Sequence, residues 1–130
     1  MDEAQAILDF WFGAADAPRD EWFRKDAAFD ERIRAHFGAL VERALAGELV
    51  AWERAPHTAL ARILLLDQFT RNIHRGSARA FAGDALALAA ARALVASGAD
   101  RRLAPLQRWF VYLPFEHAED AAAQAESLRL

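Results

Sequence analysis

The chain has 130 residues, of which 55% are hydrophobic and 27% are charged, and its formal net charge is −3. This length suits one domain, and this balance is typical of a globular protein and excludes a disordered one. The basic residues are scattered, which argues against nucleic acid as a partner, and the lack of cysteine excludes disulfides and cysteine-based zinc sites.

The first residues and the longest apolar stretch bear on the location of the protein. The chain begins with Met1-Asp2-Glu3, which is acidic where a secretory signal would be basic. The longest apolar stretch covers residues 85–91 and ends at Arg92, far short of a membrane span. We therefore expect a cytoplasmic protein that does not cross a membrane.

Helix-forming residues dominate the sequence, and no segment shows the alternation of a strand, so we expect an all-α fold. The first helix is predicted between a cap at Asp2 and a stop at Gly13. A linker that contains Pro18 follows. The second helix is the clearest, because apolar residues recur along it at three- and four-residue steps, and Gly47 is its expected end. These residues are Phe29, Ile33, Phe37, Leu40, Val41, Ala44 and Leu45.

The second half of the chain also divides into helices. A third long helix is predicted over residues 58–73, and an alanine-rich helix is predicted over residues 77–96. Pro105 is well tolerated in the first turn of a further helix. Pro114 is expected to break that helix, because proline lacks the N–H that a helix interior needs. A last helix is then expected to start near His117.

The dipeptide Trp-Phe occurs three times, at residues 11–12, 22–23 and 109–110. Each pair can bury a large apolar area, so we interpret all three as anchors of the hydrophobic core. Stacking against a ligand is the alternative interpretation, and it is the less common use of such residues.

Polar residues follow the apolar part of the third helix. On a helical wheel, Asp67 and Arg71 fall on the same stripe as Leu60 and Leu64. These two charged residues therefore continue an apolar face instead of forming a solvent-exposed one. A charged pair in such a position must be well hydrogen-bonded, because an unpaired buried charge is very costly.

The residues beside this pair allow two interpretations. One is a structural network in which Asp67 and Arg71 pair in the core, while Gln68 and Asn72 supply hydrogen bonds. The other is a groove that presents Arg71, Asn72 and Arg75 to an anionic small molecule or a peptide. The sequence leaves both interpretations open, because structural ion-pair networks and binding sites share these residue types.

Glu116, His117 and Asp120 form a second polar group at the start of the predicted last helix. Acidic residues there complement the free N–H groups of a helix, which is a structural explanation. A histidine with two carboxylates at helical spacing could also perform acid–base chemistry or hold a divalent metal. The motifs of zinc proteases and di-iron bundles are missing, so we expect no metal and no cofactor.

Three segments resemble those of an uncharacterised bacterial family, the domain of unknown function 924. They are residues 8–13 (LDFWFG), 66–76 (LDQFTRNIHRG) and 112–120 (YLPFEHAED), and the resemblance covers essentially the whole chain. It implies an antiparallel helix stack, a tetratricopeptide-like right-handed superhelix, and no established activity. The signature positions of the family fall here on Asp67, Gln68, Arg71, Asn72, Arg75, Glu116, His117, Glu119 and Asp120.

The chain also departs from the pattern of this family. Thr70 stands where the family often has proline, and Ala118 stands where it often has serine. Family members usually continue through further helices with a Phe-Gly-Arg-Phe-Pro-His-Arg-Asn type motif, which has no match here. We therefore expect residues 1–130 to form a single helical domain that is an incomplete version of the family domain. Its last helix, which ends at Leu130, is a candidate contact for a homodimer.

Two functions remain open from the sequence. The first is a helical-repeat-like binding module with a polar groove for an anionic small molecule or peptide. This groove would be lined by Asp67, Gln68, Arg71, Asn72, Arg75, Glu116, His117 and Asp120. The second is a small hydrolase-like enzyme, in which His117 acts as a general base with Glu116 or Asp120 beside it. We favour the binding module, because the sequence contains no nucleophile motif.

Overall fold

The computed structural model describes residues 2–13 and 17–117, and all regular secondary structure in this part of the chain is helical. The predicted all-α class is confirmed, whereas the tetratricopeptide-like superhelix stays a prediction. The described helices are α1 (Glu3–Phe12), α2 (Ala27–Leu45), α3 (residues 56–73), α4 (Asp84–Ala96) and α5 (Pro105–His117). Among them, none combines the length and the apolar character that a membrane crossing requires.

The ends of the first two helices agree with the sequence prediction. Asp2 caps α1 by accepting a hydrogen bond from the backbone N–H of Gln5 at 2.7 Å, and Gly13 follows its last residue. Gly47 lies just beyond α2 with a φ of 85°, which glycine adopts without strain. Residues that the sequence marked as a cap or a stop therefore lie at both ends of α1 and just beyond the end of α2.

The alanine-rich segment differs from the prediction of one helix over residues 77–96. Ser77 caps a separate 3₁₀ turn, Ala78–Phe81, and α4 starts only at Asp84. Gly83 lies between them and approaches α3 so closely that an added Cβ atom would be 2.3 Å from the backbone oxygen of Leu66. The division into two elements therefore depends on packing against another helix.

Pro114 does not break α5, so the predicted break there is wrong. The helix runs without interruption from Pro105 to His117, and both Pro114 and Phe115 are buried inside the protein. A proline inside a helix removes one backbone hydrogen bond and crowds the carbonyl four residues earlier, and burial of these side chains offsets that cost. The predicted last helix after His117 lies outside the described residues.

The third helix lies at the centre of the fold. It is continuous and consists of an α-helical part, Pro56–Ile63, a π-helical part, Leu64–Phe69, and a last α-helical turn, Thr70–Ile73. Residues 59–67 are all buried, and α3 contacts α1, α2, α4 and α5. The prediction that this helix is central and buried is confirmed, although it begins two residues earlier, with Pro56 in its first turn.

The three Trp-Phe pairs meet in one aromatic cluster. The ring centre of Phe110 lies 5.5 Å from that of Trp11 and 4.8 Å from that of Trp22. Trp11 and Phe110 are buried, so the interpretation as core anchors is confirmed for them. It is wrong for Phe23 and Trp109, which are 62% and 37% exposed.

Candidate functional site

The polar residues of α3, and Arg75 in the turn that follows it, belong to two separate clusters. The first, the Asp67 cluster, connects α3 with α4 and α5, and it consists of Asp67, Gln68, Arg71, Asp84 and His117. The second, the Asp30 cluster, connects α3 with α2, and it consists of Asp30, Asn72 and Arg75. The residues that the sequence placed on one groove are therefore divided between two sides of the helix.

Asp67 is the buried centre of the first cluster. Its side chain has 0% exposure, and its Oδ1 lies 2.8 Å from Nδ1 of His117. Gln68 donates a hydrogen bond to Oδ2 at 2.9 Å, and Nη1 of Arg71 donates to Oδ1 at 3.3 Å. Three partners thus satisfy a carboxylate that would be very costly to bury alone.

Arg71 has a stronger partner in Asp84, which the sequence analysis did not single out. Its Nη1 and Nη2 donate to the two carboxylate oxygens of Asp84 at 2.8 Å and 3.0 Å, which is a bidentate geometry. Nη1 also donates to the backbone oxygen of Asp67 at 2.7 Å, and the guanidinium carbon lies 5.2 Å from the ring centre of Phe81. The predicted contact between Asp67 and Arg71 is present, but it is the longer of the two ion pairs.

Asp30 organises the second cluster. It accepts a hydrogen bond from Nδ2 of Asn72 at 2.8 Å, and from Nε and Nη2 of Arg75 at 2.9 Å and 3.2 Å. The hydrogen bond to Asp30 raises the pKa of Arg75 above its ordinary value. Asn72 therefore donates its hydrogen bond to Asp30. One interpretation of the sequence had assigned this hydrogen bond to the pair of Asp67 and Arg71. A sequence signal was present, because Asp30 precedes Ile33 by three residues on the buried stripe of α2.

One of the three residues of the second polar group reaches α3. His117 lies in the last turn of α5 and contacts Asp67, whereas Glu116 is exposed on the same helix. Asp120 lies outside the described residues, and so do Glu119 and the proposed homodimer contact. Within residues 2–13 and 17–117, no three carboxylate or histidine side chains are close enough together to hold a metal ion.

The π-helical part of α3 contains Asp67, and the start of α4 packs against this part. Such segments are rare inside α-helices and are frequent at functional sites. The close approach of Gly83 to Leu66 brings the next residue, Asp84, within bonding distance of Arg71. The geometry of the Asp67 cluster therefore depends on Gly83, a residue that contributes no side chain to the cluster.

The contact between Asp67 and His117 determines which ring nitrogen is available for chemistry. An ionised carboxylate can only accept hydrogen bonds, so Nδ1 of a neutral His117 carries the proton and Nε2 is the acceptor. A carboxylate that orients a histidine in this way occurs at general bases and at metal-bound histidines. By contrast, Arg71 and Arg75 are each engaged by a carboxylate, so neither is an open site for an anion.

Comparisons with known proteins identify relatives that are described as being of unknown function. A family described as "Bacterial protein of unknown function (DUF924)" matches residues 7–130. The solved structure of a protein of unknown function from Agrobacterium tumefaciens is 43% identical and has a TM-score of 0.88. The match covers 95% of this chain and 69% of that one. No curated protein matches the chain. On the extent of the family match, the chain belongs to the bacterial family DUF924.

Proposed function

We propose that the protein is a helical binding module for a small polar molecule, and that His117 contacts the ligand. The observation that carries this proposal is the 2.8 Å contact between Nδ1 of His117 and the fully buried Asp67. The side chain of His117 is 25% exposed, so a ligand can reach the ring while the buried carboxylate fixes its orientation. Such pre-orientation lowers the entropy that a histidine loses when it binds a ligand.

The neighbouring arginines narrow the class of ligand. A simple anion would have to displace Asp84 from its bidentate pair with Arg71, and charge-assisted pairs of this kind are strong. Arg75 is engaged by Asp30 in the same way. We therefore infer that the ligand carries a hydrogen-bond donor for Nε2 of His117. Arg71 and Arg75 would not hold the anionic group that the sequence suggested, because each already pairs with a carboxylate.

Chemical-shift changes in the isotope-labelled chain test this proposal. Titration with a panel of small alcohols, amines, amides and hydroxy acids should shift the signals of His117, Gln68 and Arg71 together. His117→Gln should remove the response, while His57→Gln, an exposed position in the first turn of α3, should leave it intact. A response that persists in folded His117→Gln protein, or that occurs only on other surfaces, would rule out His117 as the contact.

The same contact supports a second candidate function, a hydrolase-like enzyme. Nε2 of a neutral histidine that is oriented by a carboxylate can take a proton from water. Asp67 would orient His117 in this mechanism in place of Glu116, because Asp67 makes the hydrogen bond and Glu116 is exposed. Hydrolysis of p-nitrophenyl acetate should fall strongly in His117→Gln and little in His57→Gln. Equal losses in both variants would indicate only ordinary reactivity of exposed imidazoles.

Location and assembly are further parts of the proposal. The lack of cysteine supports a cytoplasmic location. A homodimer would form through residues after His117, and sedimentation of the full chain over a range of concentrations tests it. A single monomeric species over that range would exclude such a dimer.

A further inference from the structure

A polar cavity lies at the C-terminal end of α4, and no residue of the Asp67 cluster lines it. Its volume is about 600 Å³, and it is bounded by the end of α4, the 3₁₀ turn Ala99–Arg102 and one face of α5. Asp100, Arg101, Arg108 and Tyr112 supply most of its polar groups. A cavity of this size is in the range of small-molecule sites.

The two arginines of this cavity differ from Arg71 and Arg75 in their ion-pair partners. Arg71 and Arg75 have carboxylate partners, whereas neither Arg101 nor Arg108 forms an ion pair or a side-chain hydrogen bond with any residue in the part of the chain that the structure describes. Two guanidinium groups and one carboxylate, that of Asp100, line the cavity, so the lining carries a net positive charge. A guanidinium group that none of residues 2–13 and 17–117 engages is available for an anionic ligand.

Tyr112 lines the same cavity as both arginines. Burial, and then the hydrogen bond that its hydroxyl donates to Asp100 at 2.6 Å, raise the pKa of Tyr112 to about 12. Arg108 and Arg101 oppose this shift electrostatically. Asp100 is itself buried, at 5% exposure, and it holds Tyr112 in the cavity wall.

We propose that this cavity binds a small phosphate monoester, with its phosphate group held by Arg101 and Arg108. Guanidinium groups bind phosphate oxygens in bidentate fashion, and two of them match the charge of a dianion. The cavity is larger than a phosphate group requires, so the remainder of a small metabolite fits beside the ring of Tyr112. This site is independent of the function proposed for His117.

The experiment uses phenyl phosphate as the probe, with phenol and benzoate as comparison compounds. Tyr112 is the chain's one tyrosine, so the ring signal of tyrosine-labelled protein reports on this cavity alone. Phenyl phosphate should shift that signal saturably and bind more tightly than benzoate, while phenol should have little effect. Arg101→Gln and Arg108→Gln should each weaken binding by about tenfold or more, the usual effect of losing a charge-assisted hydrogen bond.

Matched variants separate a specific site from general attraction. Arg102→Gln removes a charge from the same 3₁₀ turn, but Arg102 lines a different cavity, so the affinity should not change. Arg108→Lys keeps the charge and loses the planar fork, so its affinity should lie between those of the native chain and Arg108→Gln. Absence of a saturable shift, an equal loss in Arg102→Gln, or tighter binding of benzoate would each overturn the proposal.

Discussion

His117 and Asp67 lie on different helices, and Nδ1 of the histidine is 2.8 Å from a carboxylate oxygen of the aspartate. The contact runs from the last turn of α5 to the π-helical part of α3. It joins a partly exposed ring to a carboxylate in the interior of the protein. Both the tautomer of the histidine and the stability of the buried carboxylate depend on this contact.

The first prediction concerns the tautomer of His117. Neutral His117 should carry its proton on Nδ1, because Asp67 accepts from that nitrogen. Two-bond nitrogen–proton spectra of the labelled chain at alkaline pH distinguish the two tautomers. Asp67→Leu should return His117 to the mixture shown by exposed His57. A native His117 that is protonated mainly at Nε2 would contradict the hydrogen bond to Asp67.

The second prediction concerns the stability that the buried carboxylate contributes. Asp67→Ala should lower the free energy of unfolding by about 3 kcal/mol, because it removes a buried charge from three hydrogen-bonded partners. Asp84→Ala should cost less, about 1 kcal/mol, because this ion pair is partly exposed. Glu31→Ala, in an exposed pair with Arg34, is the control and should be nearly neutral. Urea unfolding measures all three, and a loss below about 1 kcal/mol for Asp67→Ala would argue against a buried network.

The third prediction concerns the close packing of Gly83 on α3. Gly83→Ala should destabilise the protein by about 2 kcal/mol, because the new methyl group would lie 2.3 Å from the backbone oxygen of Leu66. Gly38→Ala is the matched control within α2, where the nearest atom to the new Cβ is 3.8 Å away. That change should stabilise the helix by about 0.5–1 kcal/mol. Thermal or urea unfolding checks both, and equal effects of the two substitutions would contradict the close approach.

The fourth prediction concerns the titration of Tyr112. Burial, together with the hydrogen bond to Asp100, raises its pKa to about 12, so phenolate absorbance of the folded chain should have its midpoint there. In urea the midpoint should return to about 10. Because the folded pKa is the higher one, the stabilising contribution is complete below about pH 10 and is lost as the pH rises through about 12. Between about pH 10 and about pH 12, the free energy of unfolding should therefore fall less in the Tyr112→Phe variant than in the native chain. A folded midpoint near pH 10 would show that the phenol is freely solvated.

Much of the fold could be predicted from the sequence because its signals are local. Apolar periodicity and nearby capping residues define α1 and α2, and the nearly all-round apolar character of residues 59–66, in which Arg62 is the one charged residue, placed α3 in the centre. The two errors in the second half arose from tertiary packing. Burial of Pro114 keeps α5 intact, and the approach of Gly83 to α3 divides the alanine-rich segment.

The candidate site could be predicted only where its residues share one helix. Asp67 and Arg71 were recognisable because they continue an apolar stripe. Asp30 and Asp84 were missed because each lies in the first turn of its helix, where an acidic residue already has a local explanation. Helical spacing grouped His117 with Glu116 and Asp120 on its own predicted helix. Such spacing could not reveal Asp67, a partner fifty residues away.

The two polar clusters also decide how the helices are aligned along their axes. Leucine and alanine contacts tolerate sliding and rotation of one helix against another, whereas hydrogen bonds require fixed positions. Asp67 sets the axial position of α5 relative to α3, and Asn72 does the same for α2. One residue inserted between them would rotate the two sets of bonds apart by about 100°. The number of residues between Asp67 and Asn72 is therefore a constraint in its own right, separate from their chemical identity.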